Sequence, residues 1–104
     1  MSQSAKVEEI FKQHFGSQAS VFFVFNGTGA NTLCIDAMCR SHEAVICAES
    51  AHVNVDECGS VQRVVGCRLL TVPTPDGKLT PELVKTQLHG FGVEHHSQPK
   101  AITI

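Results

Sequence analysis

The chain has no stripe of basic residues interleaved with aromatics, and its 8 Lys and Arg are outnumbered by 10 Asp and Glu. At a formal net charge of −2 it has nothing with which to follow a polyanionic backbone, so nucleic-acid binding is set aside. No apolar run reaches the roughly 18 residues that a membrane-spanning helix needs. The N-terminus carries Glu8 and Glu9 in an amphipathic stretch and lacks the basic-then-apolar plan of a secretory signal. Cysteine pairing is not indicated either. Cys34, Cys39, Cys47, Cys58 and Cys67 are odd in number and never spaced C-x-x-C, so they read as reduced, mostly structural thiols in a cytoplasmic setting. A metal site lacks donors as well: His95 and His96 are adjacent, with Glu94 their sole companion.

What remains is a 104-residue, 42% hydrophobic chain, enough for one small α/β unit. Val7, Ile10, Phe11 and Phe15 recur at helical spacing and Gly16 follows, which predicts an amphipathic helix over 4–15. Residues 21–25 are wholly apolar and read as a strand buried on both faces, with further strands at 44–48, 68–72 and 100–104. A helix over 29–39 is expected to bury Leu33, Ala37 and Ile35. Short helical pieces are expected at 53–58 and 60–65. Thr80-Pro81-Glu82 is a helix start, with Thr80 as N-cap and Pro81 at the first helical position, and that helix runs to Leu88. Alternating strands and helices argue for right-handed βαβ units and a mostly parallel sheet with flanking helices. Because the chain stops inside an apolar strand, it reads as a single incomplete domain, 1–104.

The most informative stretch joins the apolar 21–25 segment to Asn26-Gly27-Thr28-Gly29-Ala30-Asn31. A glycine-containing turn that opens a helix leaves backbone N–H groups free at the positive end of the helix dipole, where an anion is stabilised. A Walker loop would need Lys and Ser/Thr after the last glycine, and Ala30-Asn31-Thr32 stands there. A dinucleotide fingerprint would need a third glycine, although Glu49, at the end of the next strand, sits where a ribose-binding acid belongs. That module reading, noncatalytic or nucleotide-binding through Gly27, Gly29 and Glu49, stays open, as does a tight βα turn in a purely structural piece.

The order and spacing of Phe25-Asn26-Gly27-Thr28-Gly29-Ala30-Asn31, Ala44-Val45-Ile46-Cys47, Ser50-Ala51-His52-Val53-Asn54-Val55-Asp56-Glu57-Cys58-Gly59 and Asp76-Gly77-Lys78-Leu79-Thr80 resembles the threonine aldolases. These are pyridoxal-phosphate enzymes of fold type I, with an aspartate aminotransferase-like large domain, and the resemblance covers its central part. It implies that the backbone N–H groups of Gly27, Thr28 and Gly29 hold the cofactor phosphate and that the Thr28 hydroxyl is an extra donor. It also implies that His52 stacks on the pyridine ring and is a candidate for helping proton transfer in catalysis. Asn31 either fixes the cup or is an ordinary first-turn polar residue. Glu57 either faces the site from one turn past His52, or is a solvated helix residue or a partner for Arg63. Asp56 reads as surface, and Lys78 and Lys85 as solvent-facing charges.

The implied reaction is cleavage of threonine or allo-threonine to glycine and an aldehyde by a homo-oligomeric lyase. Such chemistry needs a lysine to hold the cofactor aldehyde and an acid at the pyridine nitrogen. In the family both lie C-terminal to the stretch present here. The isolated chain is therefore expected to be inactive.

Overall fold

A computed structural model describes residues 2–104. Its elements run α1 (Gln3–Phe15), α2 (Gly27–Met38), β1 (Glu43–Ala48), α3 (His52–Val55), α4 (Ser60–Val64), β2 (Arg68–Val72), α5 (Pro81–Lys85) and β3 (Gln98–Ile102). The three strands form one parallel sheet in the order β2-β1-β3.

The middle strand shows why the sheet forms. In Glu43–Ala48 every residue after the first is buried, the pattern of a parallel strand covered on both faces. Side chains alternate. Val45 and Cys47 join Ile35, Cys39, Val53, Val61, Val65 and Cys67 in one cluster under α2, α3 and α4. Ile46 points the other way, into a smaller cluster with Val72 and Val84. At the β1–β3 seam the register slips between Ala44 and Val45, which face Pro99 and Ala101, so Lys100 is the extra residue of a bulge. Pro99, which has no N–H to donate, sits on an edge strand where its loss is tolerated.

Burial keeps the inner thiols in their neutral form. Desolvation pushes the Cys47 and Cys67 thiols up from their ordinary range. It does the same to Cys39, with nearby Cys67 and Glu43 adding to the rise. Cys34 and Cys58 are exposed, and all five cysteines are unpaired.

Several sequence expectations are corrected. Residues 21–25 form no strand, so the sheet has three strands among the described residues rather than four. Both sides of β1 are taken by β2 and β3, and the aromatic run stands in solvent, with Phe22 84% and Phe25 99% exposed. α2 turns Thr32 and Ile35 inward and leaves Leu33 and Ala37 exposed, because its closest helical neighbour is α4. α5 ends at Lys85, short of Leu88. α1 forms as expected, but none of its residues is buried; Phe11 and Phe15 stack on each other, with ring centroids 5.8 Å apart. The radius of gyration, 16.3 Å, exceeds the roughly 13 Å of a compact chain this long, consistent with a projecting α1.

Candidate functional site

In an open parallel sheet the loops after the strands meet at one rim. Here that rim is a cleft of about 560 Å³. Ala48, Ser50, His52 and Val53 come to it from the end of β1, Gly77, Lys78 and Leu79 from the loop after β2, and Thr103 and Ile104 from the end of β3. Asn31 is contributed by the start of α2. Among the described residues no carboxylate side chain lines the cleft, and Lys78 is its one permanently charged side chain. The side-chain charge there favours an anionic ligand.

The start of α2 is built by Asn26. Its backbone is extended, and its side-chain oxygen accepts from the Gly29 N–H at 2.9 Å, a side-chain N-cap. The Ala30 N–H bonds to the Asn26 carbonyl. The Gly27 and Thr28 N–H groups are left without a partner among the described residues, pointing out of the helix at the positive end of its dipole. Of the three N–H groups the sequence suggests for an anion, two are free and the Gly29 N–H belongs to the cap. Gly27 and Gly29 do not line the cleft, but Gly27 and Asn31 lie one turn apart on the same face of the helix.

The two glycines are not explained by the fold. Neither has a positive φ. A Cβ at Gly27 would meet nothing within 4 Å, and one at Gly29 would come no closer than 3.5 Å, to the Asn26 side-chain oxygen. Alanine would fit both places and favour the helix. What their small size preserves is open space over the free N–H groups, the condition for close approach of a phosphate.

His52 opens α3 on the opposite wall of the cleft. Its side chain is 80% exposed, and Nε2 lies 3.9 Å from an Asp56 carboxylate that is itself 63% exposed, too long and too wet to hold the ring firmly. The imidazole face is thus available to a flat ligand. Asp56 is at the surface, as expected from the sequence.

Asn31 and Glu57 meet. The Asn31 Nδ2 donates to Glu57 Oε1 at 2.8 Å, across 26 residues of sequence. Glu57 is only 7% exposed and makes no ion pair with Arg63, so of its sequence-based readings the solvated residue and the arginine partner are both overturned. It does not line the cleft; it stands behind Asn31. One residue further along α2, the Thr32 hydroxyl donates to the Thr28 carbonyl at 2.8 Å and lies 3.0 Å from the Ser60 hydroxyl. Between Glu57 and Ser60 the chain makes a left-handed turn, Cys58 at φ 52° and Gly59 at φ 70°. This double clasp fixes the start of α2 against the segment that carries His52.

Glu49 is exposed, its N–H bonds to Val72 and its carbonyl accepts from Asn54. It does not line the cleft. The paired strand that should precede a dinucleotide-binding glycine turn is also missing, which removes the structural basis of that reading. Lys78, read from the sequence as a solvent-facing charge, is exposed but also stands on the cleft wall. Its position was accessible from topology, since a loop after a strand adjacent to β1 falls on the same rim.

The profile of the beta-eliminating lyase family matches residues 2–104. A low-specificity L-threonine aldolase of Pseudomonas aeruginosa is 39% identical over 102 residues, and another from a Pseudomonas species is 38% identical. Each alignment covers 97% of this chain and 30% of the relative. A solved structure of Leishmania major threonine aldolase superposes with a TM-score of 0.87 at 30% identity, again over 97% of this chain and 30% of the other. The chain thus spans about a third of the length of the relatives it matches.

Proposed function

This chain belongs to the beta-eliminating lyase family, and on that premise we propose that it is the cofactor-phosphate segment of a threonine aldolase-like lyase dependent on pyridoxal 5′-phosphate. The observation that carries the reading is the pair of unpartnered N–H groups on Gly27 and Thr28, beneath space that two otherwise unexplained glycines keep open. In this reading the phosphate sits on those N–H groups and the Thr28 hydroxyl, with Gly29 allowing its approach. Asn31 touches the ligand from the cleft wall, Glu57 acts from behind Asn31, and His52 covers one face of the ring.

When bound, pyridoxal phosphate supplies an electron sink for bond cleavage at the α-carbon of an amino acid. The residues here would bind and orient it. In this reading His52 takes or returns a proton of a substrate hydroxyl as well as stacking, which its exposure at the rim supports. The proposed overall reaction is cleavage of threonine, allo-threonine or a related β-hydroxy-α-amino acid to glycine and an aldehyde. Neither Lys78 nor Lys85 is buried as an activated amine would be, so the lysine that holds the cofactor and the acid at its ring nitrogen are assigned to sequence outside these residues. The 104 residues alone bind without turning over. The exposed apolar face of α1 and residues 22–25 suit assembly with further copies, and five unpaired cysteines suit a reducing, cytoplasmic setting.

Spectroscopic titration with pyridoxal 5′-phosphate and with pyridoxal tests this reading. The phosphorylated form should bind at least about tenfold more tightly, the worth of the charge-assisted bonds to Gly27 and Thr28. His52→Ala should weaken both ligands by a similar factor. Equal affinity for the two ligands, or a His52→Ala variant that keeps both, would refute it.

A further inference from the structure

The cleft residue best fixed by its surroundings is Asn31, and what fixes it is a carboxylate the ligand does not reach. Glu57 is 93% buried by its 7% exposure, accepts one hydrogen bond from the Asn31 Nδ2, and leaves Oε2 with no partner. A carboxylate held in this way is an expensive neighbour for a surface asparagine. A hydrophobic residue would fill the space without an unpartnered polar atom. Glu57 shares the holding of α2 with the Thr32–Ser60 contact, which joins the same two segments one residue along. Its distinct effect is on the Asn31 amide. With Nδ2 committed to Glu57, a flip of the amide would lose that bond, and Oδ1, on the other branch of the group, is turned away from Glu57 as a fixed acceptor on a wall that offers no carboxylate side chain.

We propose that Glu57 is a positioning residue, which locks the Asn31 amide so that Oδ1 faces the cleft and selects a ligand bearing an O–H or N–H donor beside its anionic group. The inference rests on the cleft being the ligand site described above and deepens that reading. It divides the site by chemistry. The free N–H groups of Gly27 and Thr28 take the anion, which only accepts. Asn31 Oδ1 takes an O–H or N–H donor carried on the rest of the ligand, away from its anionic group, and inorganic phosphate seated on the free N–H groups has no such second part. Without Glu57 the amide would rotate freely and could present its NH₂ to the cleft, losing that distinction.

The test compares wild type with Glu57→Gln, Glu57→Leu and Asn31→Ala in the whole chain. Glutamine keeps an oxygen able to accept from Asn31 Nδ2; leucine fills the volume and removes the acceptor. Affinities for pyridoxal 5′-phosphate and for inorganic phosphate are measured by calorimetry, and the Asn31 side-chain amide is followed by ¹⁵N NMR without ligand. The expected result is a loss of about tenfold in pyridoxal phosphate affinity for Glu57→Leu and Asn31→Ala, with Glu57→Gln within about twofold and inorganic phosphate within about twofold throughout. In the NMR arm the Asn31 NH₂ signals should be shifted and slow to exchange in wild type and Glu57→Gln, and fall to solvent-exposed values in Glu57→Leu. Equal loss of both probes in Glu57→Leu would show that Glu57 maintains the shape of the cup, overturning the proposal, and so would unchanged pyridoxal phosphate affinity. If wild type bound neither probe, the cofactor reading itself would fail. The NMR arm would still decide the lock: an Asn31 amide indifferent to Glu57→Leu overturns it, and one released by Glu57→Leu and retained by Glu57→Gln supports it.

Discussion

Replacing Gly27 and Gly29 by alanine should make the chain more stable and a worse binder. Both glycines lie in the first turn of α2 with no positive φ, so alanine can adopt the same backbone. The added methyl at Gly27 meets nothing within 4 Å, and at Gly29 it reaches ordinary van der Waals contact at 3.5 Å. No steric cost opposes the gain from restricting the unfolded chain. That gain is about 0.5 to 1 kcal/mol per site for a helix interior, and the low end is appropriate in a first turn. The double variant should therefore gain about 1 kcal/mol, or about 4 to 8 °C in Tm for a domain of this size. The same methyl groups occupy the space over the Gly27 and Thr28 N–H groups. Displacing a phosphate from two charge-assisted bonds costs about 1.5 to 3 kcal/mol, a loss of roughly ten- to a hundredfold in affinity. Thermal melts monitored by circular dichroism, together with calorimetric titration of pyridoxal 5′-phosphate, read the two effects separately. Gly90→Ala is the control: its φ is +79° and its Cβ would fall 2.5 Å from His96 Nδ1, so it should lower Tm and leave binding alone. A double variant that melts lower than wild type, or one that binds the ligand as well as wild type, would refute the reasoning.

Three further outcomes are expected. The thiols of Cys39, Cys47 and Cys67 are raised by burial, so above about pH 8.5 the unfolded chain loses thiol protons that the folded chain keeps, and stability falls as pH rises through that window; urea midpoints under reducing conditions should decline from pH 8 toward pH 10, and less steeply in Cys47→Ala. Thr32→Val keeps the shape of a 6% exposed side chain but removes its bonds to the Thr28 carbonyl and Ser60, and should cost about 1 kcal/mol in denaturant titrations. Phe11→Ser with Phe15→Ser removes a stacked, solvent-exposed pair from a helix with no buried residue, and should change stability by no more than about 0.5 kcal/mol while reducing self-association in sedimentation.

What could be read from the sequence followed from how many neighbours each segment has within the chain. The stretches 44–48 and 68–72 matched β1 and β2 almost residue for residue, because short runs rich in apolar and β-branched residues, unbroken in 44–48 and interrupted by Thr71 in 68–72, are the mark of strands in a parallel sheet. The same rule failed at 21–25. Apolarity shows that a segment is suited to burial, not that it pairs, and no strand among the described residues takes 21–25 as a partner. In α2 the apolar positions pointed to Leu33, Ala37 and Ile35, yet only Ile35 is turned inward, because the helix is oriented by polar contacts from Asn31 and Thr32. At the site, the neighbourhood of Asn31 and His52 followed from strand order alone. Two features did not. The Gly29 N–H goes to the cap because Asn26 is an N-cap residue as much as part of a glycine turn, and Glu57 is buried because a left-handed turn at Cys58 and Gly59 folds it under α2.

The central claim, that the start of α2 and the wall bearing His52 form one anion-accepting site, is most directly tested by a ¹⁵N NMR titration of the chain with pyridoxal 5′-phosphate. The account predicts that the largest shifts fall on the backbone N–H groups of Gly27 and Thr28, accompanied by the Asn31 side-chain amide and the His52 ring. Silence at Gly27 and Thr28, with shifts confined to the loop around His95 and His96 or to scattered lysines, would contradict it.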